Sequence, residues 1–173
     1  MKRLLTLTFA LIIAVLVLPG CEKFSKDDTP DFKIVVTGKE YETGNDLNET
    51  FTLEDIDSYV VISQPEDIKS SCGFATIQFG KKADFTQTHK DIMFRFYIND
   101  EVILEAMQVS GFSSATYRET FVIVAQGQLP FLLQFEYGAD HLQDPSKVSK
   151  INQSQIDAVK KLNSVLEKCL DDK

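Results

Sequence analysis

Between Ile92 and Ala106 the chain alternates apolar and polar side chains with a period of two. Ile92, Phe94, Phe96 and Ile98 fall on one side and Met93, Arg95 and Tyr97 on the other; Val102, Leu104 and Ala106 resume the pattern after Asn99-Asp100-Glu101. Only an extended strand puts residues i and i+2 on one face, so this stretch must be a hairpin with one side in a core. Register then decides the turn. A three-residue turn pairs Ile98 with Val102, Phe96 with Leu104 and Phe94 with Ala106. A two-residue turn sets Ile98 against Glu101 and Phe94 against Glu105. A slip of one residue turns every side chain to the wrong face, so the longer turn is expected.

The same period recurs along the chain. Residues 32–37, 59–63 and 73–79 are short, β-branched or aromatic runs bounded by Gly or Pro. Residues 117–125 and 131–137 flank Gln126-Gly127-Gln128-Leu129-Pro130, and five loop residues pair Ala125 with Phe131, Ile123 with Leu133 and Phe121 with Phe135. Val122 and Val124 are apolar as well, which predicts a strand covered on both faces, as in a two-layer fold. The period changes after Asp144-Pro145. Ile156, Val159, Leu162, Val165, Leu166, Cys169 and Leu170 recur at spacings of three and four, and Ser154-Gln155-Ile156-Asp157 has the spacing of a capping box. This predicts an amphipathic helix over 155–170 whose apolar stripe covers the sheet. The fold class is therefore mostly β (α+β): an antiparallel two-layer sheet or sandwich of seven or eight strands with one C-terminal helix, forming a single domain over residues 32–173. The alternative architecture is a barrel plus helix. Strands, then a helix, then a cysteine near the end is an order similar to that of lipocalins. The lipocalin Gly-x-Trp element has no counterpart, since the chain lacks tryptophan.

The first twenty residues have a different character. Lys2 and Arg3 precede fifteen residues, 4–18, interrupted only by Thr6 and Thr8. A bilayer core of roughly 30 Å needs about 20 apolar residues in a helix, so this run is short for a span and suits the core of a secretory signal. It ends in Leu18-Pro19-Gly20-Cys21. That sequence resembles the lipobox of bacterial lipoproteins. The resemblance implies cleavage before Cys21, acylation of its sulfur (palmitate being one such chain) and attachment to the cell envelope. Residues 1–20 are then a signal peptide and 21–31 a lipidated tether. The tether is rich in Ser, Lys, Asp, Thr and Pro, too polar to bury much surface. Lys26-Asp27-Asp28 resembles the acidic export signal of surface lipoproteins, which points to the outer membrane, on its periplasmic or surface face.

Charge is unevenly placed. The chain carries 18 basic and 26 acidic side chains, a net charge of −8. Nucleic acid is excluded as a partner, because phosphate binding needs clustered Lys and Arg. Between Lys39 and Lys69 there is no basic residue but nine acids: Glu40, Glu42, Asp46, Glu49, Glu54, Asp55, Asp57, Glu66 and Asp67. Segment 40–67 is thus a candidate surface for a basic protein or a cationic ligand, with Glu54, Asp55 and Asp57 its densest part. Two other readings stand beside it: a solvated face that only confers solubility, and a Ca²⁺ site. Asp46-Leu47-Asn48-Glu49-Thr50 starts like an EF-hand loop, but Phe51 occupies the position where the sharp turn needs Gly.

Catalytic signals are weak. His89 and His141 are the only histidines, and neither has metal-ligand spacing around it. Gly111-Phe112-Ser113-Ser114-Ala115 lacks the second glycine of a nucleophile elbow, and it precedes a strand where the elbow needs a helix. No glycine-rich phosphate loop is present. The sequence therefore predicts no catalytic, cofactor or metal residues and no enzyme. It favours a membrane-anchored binding or interaction lipoprotein of the cell envelope, with a structural or assembly component second and an enzyme third. With Cys21 lipidated, Cys72 and Cys169 remain, and export from the reducing cytosol predicts a disulfide between them. Cys169 lies on the apolar stripe of the helix and Cys72 at the start of a strand.

Overall fold

The computed structural model describes residues 30–67, 73–80, 89–111, 113–125, 130–138 and 149–171. Eight strands and one long helix follow one another: β1 (Phe32–Glu40), β2 (Asp46–Thr52), β3 (Ile56–Val61), β4 (Gly73–Phe79), β5 (His89–Ile98), β6 (Glu101–Ser110), β7 (Tyr117–Ala125), β8 (Phe131–Tyr137) and α1 (Gln153–Asp171). Short 3₁₀ turns occupy Leu53–Asp55 and Pro65–Asp67. The fold is mostly β with a C-terminal helix, as the periodicity requires.

All eight strands belong to one sheet in the order β2-β1-β5-β6-β7-β8-β4-β3. Six of the seven neighbouring pairs are antiparallel; β6 and β7 run parallel, so the sheet is mixed. The two edges, β2 and β3, are joined in sequence by only the turn Leu53–Asp55. A flat sheet of eight strands at about 4.8 Å spacing would hold its edges about 34 Å apart. The four residue steps from Thr52 to Ile56 reach at most about 14 Å. The sheet must therefore curl until its edges converge at that corner. Register shifts interrupt five of the seven pairings, and each bulge adds bend and twist. Even so, β2 and β3 are not paired, and the sheet is not closed into a barrel. A single curled sheet thus supplies both walls that a sandwich would draw from two layers.

The concave side holds the main core. Phe51 on β2 meets Phe79 on β4 at a ring-centroid distance of 4.7 Å, and Phe94 on β5 meets Phe131 on β8 at 6.1 Å. These strands are distant in sheet order, so the contacts cross the interior rather than follow the sheet. Phe74, Phe121 and Phe135 continue the cluster edge to face. Val159, Leu162 and Leu166 of α1 are fully buried against it. Burying each of these side chains contributes on the order of 1.5–3 kcal/mol. A smaller cluster of Val109, Val122 and Val124, with Tyr117, Leu132 and Tyr137 packed on it, lies apart from the main core. The strand expected to be covered on both faces is thus β7.

Local details refine the sequence reading. At the β5–β6 hairpin, Phe94 opposes Ala106 and Phe96 opposes Leu104, as expected, but Tyr97 opposes Val102 and Ile98 opposes Glu101. The turn has two residues. Asn99 and Asp100 have φ of 50° and 61°, the left-handed pair of a type I′ turn. A bulge that leaves Ile103 as the extra residue restores the apolar register, so both the tight turn and the buried face are kept. Ile123 opposes Leu133 and Phe121 opposes Phe135, as predicted. The helix cap sits two residues before the expected Ser154. The Asn152 side-chain oxygen accepts from the Gln155 N–H at 3.0 Å, and the Gln155 side chain accepts from the Asn152 N–H at 2.8 Å. Asn at N-cap with Gln at N3 satisfies two orphan donors reciprocally.

Candidate functional site

The acid-rich segment 40–67 is the part of the chain that builds both sheet edges. It contains the β1–β2 turn, β2, the 3₁₀ turn Leu53–Asp55, β3 and the turn Pro65–Asp67. Edge strands expose unpaired backbone groups, and charge along them discourages chance pairing. The acids are thus spread along two edges and the corner that joins them, rather than gathered into one cluster.

Several of them have local partners. The Glu40 carboxylate accepts hydrogen bonds from the Thr43 hydroxyl and, at 3.5 Å, from the Asn45 amide, and so closes the β1–β2 turn. Asp46 lies 3.7 Å from Lys39. Asp55 accepts from the Thr52 N–H at 3.0 Å and from the Thr52 hydroxyl at 3.2 Å, so its carboxylate shapes the corner. The Asp55 carbonyl accepts from the Gly80 N–H at 2.9 Å. Asp57 sits against Gly80, where an added Cβ would fall 2.4 Å from its carboxylate oxygen. Any side chain at position 80 would displace Asp57. Glu54 is exposed at the tip of the turn. Glu66 pairs with Lys160 of α1. The Lys160 hydrogen bond holds the Glu66 carboxyl below its usual range, and Glu66 in turn raises the Lys160 ammonium. Of the three acids singled out by sequence, the structure brings Asp55 and Asp57 to Gly80 and leaves Glu54 projecting beside them.

The other candidates fall elsewhere. His89 begins β5 and pairs with Glu40 of β1, so it belongs to a strand rather than to the polar connection expected from its neighbours. Ser113 follows a turn in which its N–H donates to the Ser110 carbonyl, and its hydroxyl accepts from the Ala115 N–H at 3.2 Å. The chain then enters β7, which leaves no nucleophile elbow. Cys169 is half-buried on α1. Cys21, Cys72 and His141 lie outside the described residues, and so does the Cys72–Cys169 pairing. Among the described residues no group of three or more His, Cys, Asp or Glu could hold a metal ion, and no helix is long and apolar enough to cross a membrane. An open depression of about 400 Å³ lies at the β1 bulge, lined by Thr37, Lys39, Asp46, Asn48 and Asp91.

One polar group escaped sequence reasoning. Glu136 is fully buried, and Gln134 nearly so. Their alternation with Leu133 and Phe135 reads as an outward, solvated face. Instead, residues 118–120 of β7 bulge opposite Glu136 alone. Glu119 and Glu136 both adopt positive φ, 58° and 66°. The Glu136 carboxylate accepts from the Glu119 N–H at 3.2 Å, and the Gln134 amide donates to the Glu136 carbonyl at 2.7 Å. The pair satisfies backbone groups that the bulge takes out of the ladder. No family model, curated protein or solved structure matches this chain.

Proposed function

We propose that the chain is a lipid-anchored, non-catalytic binding protein of the bacterial cell envelope, and that its acid-rich sheet edges recognise a basic protein partner. Anchoring rests on the lipobox-like Leu18-Pro19-Gly20-Cys21. The eleven residue steps from Cys21 to Phe32 give a tether of at most about 40 Å, enough to hold the domain clear of headgroups. The chain enters the domain firmly: the Asp31 N–H donates to the Asn99 side chain at 3.0 Å, and the Asn99 N–H donates to the Asp31 carbonyl at 2.8 Å.

The observation that carries the binding reading is the division of the molecule between a filled interior and charged edges. Phenylalanine rings in mutual contact occupy the concave side and α1 packs on them, so recognition is directed outward. The outward surface with the most uniform charge is segment 40–67. A basic partner would be steered there, and its association would weaken with salt over a Debye length of about 8–10 Å. The test is a pull-down from envelope extract with the tagged chain, beside the Glu54→Gln/Asp57→Asn variant. A basic protein retained by the natural chain and lost from the variant, and lost again in high salt, is the expected result. Retention insensitive to both changes would return the acids to edge protection alone.

A further inference from the structure

Among the described residues, Val60 and Ile62 are 55% and 54% exposed. They stand two residues apart at the end of β3, so they share a face, and β3 is the last strand of the sheet. Val60 opposes Thr76, which opposes Leu132, which opposes Val124, which opposes Val109. A mostly apolar row thus runs from the second core cluster, where Val124 and Val109 are buried, out to exposed Val60 on the last strand of the sheet. The Ile62 and Ser63 N–H groups both donate to the Phe74 carbonyl, at 2.8 and 3.2 Å, so the chain stays tied to β4 just past the end of β3 through a bulge at Ile62.

If the acids of this segment served only to block edge pairing, the middle of β3 should be charged too. It is Tyr59-Val60-Val61-Ile62, with Glu54, Asp55 and Asp57 before it and Glu66 and Asp67 after it. The occupant must therefore be apolar at its centre and basic where it meets Glu54 and Asp57, since Glu66 already pairs with Lys160. A second copy does not fit. Antiparallel self-pairing centred on Val60 would bring together two copies of segment 40–67, each with nine acids and no basic residue. Like charges brought together across paired strands destabilise.

We propose that β3 is a docking edge for an extended segment of a basic protein, which adds to the sheet as a ninth strand, covers Val60 and Ile62, and places Lys or Arg against Glu54 and Asp57. This rests on the functional reading above and specifies its mode: backbone pairing supplies affinity, while alternate side chains and end charges supply selectivity.

The experiment titrates the detergent-solubilised full chain with the fluorescent peptide KKVTVTVKK, its acidic counterpart EEVTVTVEE, and a form of the first with its five central amides N-methylated. KKVTVTVKK should bind, EEVTVTVEE should not, and N-methylation should weaken binding at least tenfold. Val60→Glu/Ile62→Glu alters two exposed side chains, so it should keep the circular dichroism of the natural chain and lose binding to the same extent. Equal affinity for the methylated peptide, with loss in Glu54→Gln/Asp57→Asn, would overturn strand addition while leaving the acidic-surface reading in place. No binding of KKVTVTVKK at about 1 mM, where even an affinity of about −4 kcal/mol would register, would overturn strand addition. Sedimentation showing a dimer that Val60→Glu/Ile62→Glu dissociates would also overturn it, since the edge would then belong to a second copy.

Discussion

The phenolic hydroxyl of Tyr59 donates to the side-chain oxygen of Asn163 at 2.6 Å, a buried bond that ties edge strand β3 to α1. It is the polar link between the one strand with a single sheet neighbour on this side and the helix that closes the core. It also fixes the backbone whose outer face carries Val60.

Removing that hydroxyl leaves a buried amide oxygen without its donor, which costs about 1–3 kcal/mol. Tyr59→Phe should therefore lower the melting temperature by several degrees, since a domain of this size shifts by about 2–4 °C per kcal/mol. Burial, with the nearby Glu167 carboxylate adding to it, pushes the Tyr59 phenol above its ordinary value. Below about pH 10 folded and unfolded chains both hold this proton; above it only the unfolded chain releases it, so stability is lost as pH rises. Urea midpoints at pH 8 and pH 11 should fall more for the natural chain than for Tyr59→Phe. Parallel losses would mean that Tyr59 does not supply the alkaline sensitivity.

At the start of α1, Asn152 and Gln155 bond reciprocally, and the Ser154 hydroxyl donates to the Asn152 side chain at 2.7 Å. Asn152→Ala should cost about 0.5–2 kcal/mol, the usual loss for an N-cap. Ser154→Ala should cost less, because Ser154 only orients the cap. Thermal denaturation of both variants checks this order, and a larger loss for Ser154→Ala would move the cap back to where the spacing of Ser154 and Asp157 suggested it.

Much of the fold was legible because the buried positions of β5, β6, β7, β8 and α1 repeat at the periods of their elements. β2 was not, because it buries only Leu47 and Phe51 among acids and threonines. An edge strand with one covered face and few core contacts looks like a loop in sequence. The parallel pairing of β6 with β7 was hidden too. Pairing partners are set by how the whole sheet curls, and residues 111–116 carry no mark of a crossover. The two-residue turn is hidden in the sequence because a bulge at Ile103 separates turn length from register. For the site, acid density was visible, but its distribution along both edges depends on β2 and β3 lying at opposite ends of the strand order. The fixed positions of Asp55 and Asp57 depend on Gly80, which sequence distance conceals. The exposure of Val60 and Ile62 was the least legible feature, since in sequence both belong to an ordinary core-type run.

The proposed location and the proposed access to a partner both rest on acylation of Cys21, which metabolic labelling reads directly. Cells expressing the natural chain and Cys21→Ser should be fed labelled palmitate and fractionated with detergent. Label on the natural chain, its partition into the detergent phase, and loss of both in Cys21→Ser are the expected results. An unlabelled natural chain, or a Cys21→Ser chain that partitions unchanged, would contradict lipid anchoring at this residue.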